Sequence, residues 1–92
     1  MIMERLSIDA YVIDVLMPDL VGHDRRPATF VVYLFLLGQA AKAGRDTVSV
    51  SLQTLAAKTG LSKSTVQGAL RHLRRRRLLD PSVAASESRG KT

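Results

Sequence analysis

The chain contains no cysteine, which removes disulfides, thiolate metal sites and thiol catalysis at once. Aromatic residues are scarce: Tyr11, Phe30, Tyr33 and Phe35 are all there are, so any core must be mostly aliphatic. No run is long and apolar enough to cross a bilayer, which takes about 20 residues; the most apolar stretch, residues 28–41, falls short. The N-terminus does not read as a signal peptide, because Glu4, Asp9 and Asp14 interrupt any apolar region and no cleavage-like site follows. These absences fit a cytoplasmic protein with no membrane partner. Also missing are the arrangements that carry catalysis: a nucleophile beside a base, a metal-ligand cluster, a phosphate-cradling glycine loop. No enzyme activity, catalytic residue, metal site, cofactor or small-molecule ligand is therefore expected.

What is present is ordinary in amount and uneven in placement. Ninety-two residues, 46% apolar and 24% charged, suffice for one small three- or four-helix core. The net charge is +6. Six Lys/Arg balance six Asp/Glu in residues 1–60, whereas residues 61–92 hold eight against two. A neutral body with one strongly basic end is the electrostatic footprint of a nucleic-acid binder.

Taken in order, residues 7–17 predict a first helix. Ser7 can cap it, Asp9 suits its first turn, and Ile8, Tyr11, Val12, Val15 and Leu16 supply an apolar stripe. Pro18 should end it, although the Val and Ile content also admits a strand. Residues 19–26 read as a polar loop. His23 lies there beside Asp24, but no second histidine stands at ligand spacing, so it reads as a loop histidine. Asp14, Asp19 and Asp24 recur every five residues, which is no α-helical repeat, and predict no carboxylate site. Pro27 suits the first position of a second helix running to Gly44. That helix is apolar nearly all round, so several faces need cover. Either it is a simple central core helix, or a homodimer packs through residues 8–43. Residues 47–51 alternate polar and apolar, as a short strand does.

The stretch that organises the chain is 51–79. Ser51 can cap a short helix carrying Leu52, Leu55 and Ala56 on one face, and Gly60 can end it in the left-handed conformation. Ser62 can cap another helix, in which Val66, Ala69, Leu70 and Leu73 recur at three and four residues and share an inward stripe. Lys63, Ser64, Gln67, Gly68 and Arg71 fall on the opposite face. Short polar side chains, an amide and long cations are the types that reach base edges and phosphates. Arg74 to Arg77 follow. Four consecutive residues cover every side of a helix, so not all can face one ligand. Arg74 and Arg75 extend the Gln67–Arg71 face, Arg77 lies nearer the apolar side, and His72 reads as a phosphate or surface residue.

The spacing of Leu55, Ala56, Gly60, Leu61, Val66, Ala69 and Leu70 resembles a bacterial helix-turn-helix. More closely, residues 61–79 resemble the recognition-helix segment of winged-helix regulators of the GntR and MarR type. Ser62-Lys63-Ser64-Thr65-Val66 matches the opening of that segment and Arg77-Leu78-Leu79 its exit, with Arg77 where the family usually has glycine. The resemblance implies a mainly α, small winged-helix-type domain over residues 1–79, with the strand at 47–51 ahead of the helix-turn-helix. Only Leu78-Leu79 offers a wing strand, so the wing is short or truncated, and residues 80–92 read as a disordered tail.

The same resemblance implies double-stranded DNA as partner and insertion of helix 62–77 into the major groove. Ser62, Lys63, Ser64 and Thr65 would hold a phosphate at the helix start. Gln67 would read an adenine edge, Arg71 a guanine or a phosphate, and Gly68 would permit close approach. Arg74 and Arg75 would add sequence-blind affinity. The expected function is a small bacterial transcription regulator. Alternatives are a protein-interaction winged helix and a DNA-binding module of a replication or partition system.

Overall fold

Side-chain chemistry at the helix ends explains most of the architecture of the computed structural model, which describes residues 5–44 and 49–79. Pro27 opens α1 (Pro27–Ala43), and Gly44 closes it at φ 67° with its amide on the carbonyls of Ala40 and Ala41. Two shorter helices follow, α2 (Leu52–Thr59) and α3 (Lys63–Arg75). They start alike. Ser51 Oγ accepts the Thr54 amide at 3.1 Å, and Ser62 Oγ accepts the Thr65 amide at 3.2 Å. Each cap satisfies a donor that its helix cannot pair, which is worth about 1 kcal/mol. Gly60, at φ 79°, ends α2 by returning its amide to the carbonyl of Ala56.

The core forms where α1 packs against both α2 and α3. Phe30, Val32 and Leu36 of α1 meet Leu52 and Leu55 of α2 and Val66, Ala69, Leu70 and Leu73 of α3, all buried. The inward stripe of α3 is thus the one its periodicity predicts. Ala56, Leu61, Val50, Leu78 and Leu79 pack half-buried around it. On α1 the apolar excess is only partly covered: Tyr33, Leu34, Phe35 and Leu37 are half-buried and Val31 is exposed.

Ahead of α1 the chain departs from the expected pattern. The predicted first helix forms over residues 10–17, wound as a π-helix at Val12–Leu16, and the loop predicted over 19–26 is replaced by a second π-helical segment, Pro18–His23. Asp9, not Ser7, stands at the start of the first helix: its carboxylate accepts the Tyr11 amide at 3.4 Å and its carbonyl the Val12 amide at 3.0 Å. The Met17 amide bonds the carbonyl of Val12, and the Asp24 amide that of Asp19 at 2.9 Å, each five residues back. Pro18 has no amide to lose and stands in the first turn of the second segment, so the chain stays helical past it. The wider turn also splits the predicted stripe. Val12, Leu16 and Leu20 are buried, while Ile8, Tyr11 and Val15 are exposed.

No strand occurs among the described residues. Of the expected strand at 47–51, residues 47 and 48 lie outside them, Ser49 and Val50 have no regular structure, and Ser51 is spent as a helix cap. Leu78 and Leu79, the expected start of a wing, bend back onto the core instead. Helix α3 ends two residues before Arg77, shorter than the predicted 62–77. Arg77 takes the left-handed conformation at φ 60°. Its amide reaches the carbonyl of Arg74 at 3.0 Å, and the Leu78 amide reaches that of Leu73 at 2.8 Å. This is the paired closure that a glycine usually makes, here built on arginine. The tail expected at 80–92 lies outside the described residues.

Candidate nucleic-acid interface

Burying Val66, Ala69, Leu70 and Leu73 turns the other side of α3 outward. Lys63, Ser64, Thr65, Gln67, Arg71 and Arg75 are exposed, and Gly68 is half-buried. The structure therefore gathers the predicted surface onto one helix face, flanked by the turn at Gly60. Ser62 and Thr65 are partly committed to each other. The Ser62 hydroxyl takes the Thr65 amide and donates to Thr65 Oγ1 at 2.9 Å. The Thr65 hydroxyl keeps its own proton for an outside acceptor.

The four consecutive arginines meet four different environments. Arg75 is exposed, with no ion-pair partner among the described residues. Arg74 is half-buried, and its Nη1 is buried without a hydrogen bond, so one edge of that guanidinium turns into the protein. Arg77 sits in the left-handed closure, exposed. Arg76 is held by carboxylates: its Nη2 bonds Asp19, and its Nε lies 3.3 Å from Asp24 Oδ2.

His72 corrects the reading as a phosphate or surface residue. Its Nε2 lies 2.7 Å from Asp24 Oδ2, with the two side chains 12% and 10% exposed. Asp24 Oδ1 also meets His23 Nδ1 at 3.0 Å. The hydrogen bonds from His23 and His72, aided by the charges of Arg76 and His72, hold the Asp24 carboxyl down at about 2, against a smaller opposing effect of burial. Asp24 thus ties the chain just before α1 to the C-terminal half of α3.

That cluster was not legible in the sequence. Its partners lie 48 and 57 positions apart. The one available signal was the five-residue spacing of Asp19 and Asp24, which is the hydrogen-bond spacing of a π-turn. Asp19, His23 and Asp24 bring ligand-type atoms within 4.8 Å of one another. Arg76 already supplies both carboxylates with positive charge, so the group is explained as an ion-pair latch.

No helix among the described residues is long and apolar enough to cross a membrane. The surface that remains, an exposed polar and cationic helix face presented by a capped helix–glycine turn–helix unit, has the make-up of a DNA-contacting element. The comparisons agree with it. No curated protein and no solved structure matches the chain. A family model described as a helix-turn-helix domain matches residues 26–79, which takes in α1, α2 and α3 and more than half of the chain. The chain belongs to this helix-turn-helix family, whose fold points to DNA as its partner.

Proposed function

We propose that the protein is a sequence-specific DNA-binding regulator of the winged-helix kind seen in GntR- and MarR-type bacterial proteins, acting by occupying a promoter or operator in the cytoplasm. The observation that carries this reading is the state of the cations on α3. Lys63, Arg71 and Arg75 stand exposed without an ion-pair partner among the described residues, beside Gln67 on the same outward surface. Cations that merely decorate a helix gain little from being kept unpaired, whereas cations that replace counterions on DNA gain affinity.

In this mechanism α3 lies in the major groove. Gln67 bonds an adenine edge in two places, Arg71 reads guanine or clamps phosphate, and Gly68 lets the helix sit close. Ser62, Lys63, Ser64 and Thr65 hold backbone phosphate near the helix start. Arg75, with the exposed edge of Arg74, adds affinity that is blind to sequence. Two copies joined through residues 8–43 would place two such helices on a symmetric site.

Selection of a random duplex pool on the purified protein tests this directly. A two-fold symmetric motif is expected, and retention without any motif would reduce the function to sequence-blind binding. No retention at all would favour a protein partner. On the selected site, Gln67→Ala should relax preference at one base pair by about 1–3 kcal/mol. Arg75→Ala should weaken all duplexes alike. Equal, sequence-independent losses from both variants would remove Gln67 from base readout.

A further inference from the structure

An open groove of about 380 Å³ runs between the start of α1 and the first turns of α3. Arg25, Arg26, Ala28 and Thr29 line one side, and Ser64, Thr65 and Gly68 the other. Both arginines are exposed, and neither has a carboxylate partner among the described residues. The acids that could have neutralised them, Asp19 and Asp24, are bound to Arg76, His72 and His23. Positive charge beside the groove is therefore left unspent.

The hydrogen-bond donors tell the same story. Helix α1 has 17 residues and no side-chain cap. Pro27 has no amide, and the Thr29 amide returns to the carbonyl of Arg26 at 3.0 Å. The Ala28 amide is left at the groove for an outside acceptor. Thr29 is 1% exposed and lines the groove, so its hydroxyl stands among the groove's polar groups. Across the groove, Thr65 Oγ1 accepts from Ser62 and keeps a proton to give.

We propose that this groove is an anion site that seats one phosphate of the DNA backbone, gripped by Arg25 and Arg26 and bonded by Thr29, Thr65 and the Ala28 amide. The assignment rests on the DNA-binding reading above and extends the contact surface from α3 to the start of α1. Gly68 borders the same groove, and among the described residues the nearest non-neighbouring atom to a Cβ there is Arg71 Nη2 at 3.8 Å. The seated phosphate thus lies against the part of α3 that approaches the bases, and it sets how deep that helix enters.

The test compares the wild type, Arg25→Gly/Arg26→Ala and Thr29→Val on one short duplex over a series of salt concentrations. Thr29→Val keeps the shape and removes the hydroxyl, and Arg25→Gly relieves a left-handed backbone (φ 57°), so melting curves should show both variants folded. The double variant should bind about tenfold more weakly, with the slope of log affinity against log salt reduced by about 0.9. Replacing single phosphates by uncharged methylphosphonate should cost the wild type affinity at one position per half-site and cost the double variant nothing there. Unchanged affinity and slope in the variants, or equal methylphosphonate losses in both proteins, would overturn the site. A wild type that retains no duplex at all would instead defeat the DNA-binding reading and, with it, DNA as the source of the phosphate. In that event a titration with inorganic phosphate against chloride at equal ionic strength decides the groove's chemistry. Shifts of the Ala28, Thr29 and Thr65 amides would keep an anion site for a free phosphate, and their absence would remove it.

Discussion

Among the described residues, a methyl group added at Gly68 would meet only Arg71 Nη2, at ordinary contact distance, and the backbone there is right-handed helix. The fold makes no demand for glycine at this position, and glycine inside a helix costs about 1 kcal/mol against alanine. Gly68→Ala should therefore raise the urea midpoint by a corresponding amount. If α3 lies against DNA as proposed, the same methyl group intrudes and affinity falls. A more stable variant with unaltered binding would remove the close-approach role. Arg77 presents the opposite case. Its left-handed backbone strains an L-residue by roughly 1–2 kcal/mol, and glycine recovers part of that while losing more entropy on folding. Arg77→Gly should melt higher, by up to about 1 kcal/mol of stability, and a lower melting point would show that the arginine side chain holds the closure together.

At the scale of elements, α3 is held from two sides. Its apolar stripe anchors it to α1 and α2, and Asp24 anchors its C-terminal half through His72 and Arg76. Truncating the stripe, as in Leu73→Ala, should cost about 2–5 kcal/mol, read by chemical denaturation. The polar anchor is pH-dependent. Because the Asp24 carboxyl is depressed from 3.8 to about 2 in the folded chain, its contribution is complete above 3.8 and is lost as pH falls through about 2. Wild type should thus be more stable than Asp24→Asn at neutral pH, and the two denaturation curves should converge on acidification. A constant gap at every pH would show that the carboxylate charge is not what binds the latch. How legible each element was follows from the range of its signals. The caps at Ser51 and Ser62 and the stops at Gly44 and Gly60 act within one turn, and all four stand where the residues put them. The π-helical segments did not, because five-residue hydrogen bonding has no propensity signal of its own and Pro18 suggested a stop that a missing amide alone does not impose.

For the whole molecule, the unresolved demand for cover lies on the segments before α1. Ile13, Met17 and Val21, spaced four apart, are all more than a third exposed, as are Tyr11, Val15 and Val31. Large exposed apolar patches mark interfaces, and this one falls within the residues proposed to join two copies. Sedimentation of the wild type should give a dimer, and Met17→Glu, which places a charge in the middle of the stripe, should give a folded monomer with weaker binding to a symmetric site. A monomeric wild type would assign that surface to another partner. The helix-turn-helix and its outward cationic face were determined by the sequence alone, because caps, glycine stops and a repeat of apolar residues all act over a few positions. Only the tertiary structure decided which cations remain available. Asp19 and Asp24 reach Arg76 and His72 across 57 and 48 positions, leaving Arg25, Arg26, Arg71 and Arg75 without an acidic partner among the described residues, and a charge pair closed over that distance leaves no local pattern to read.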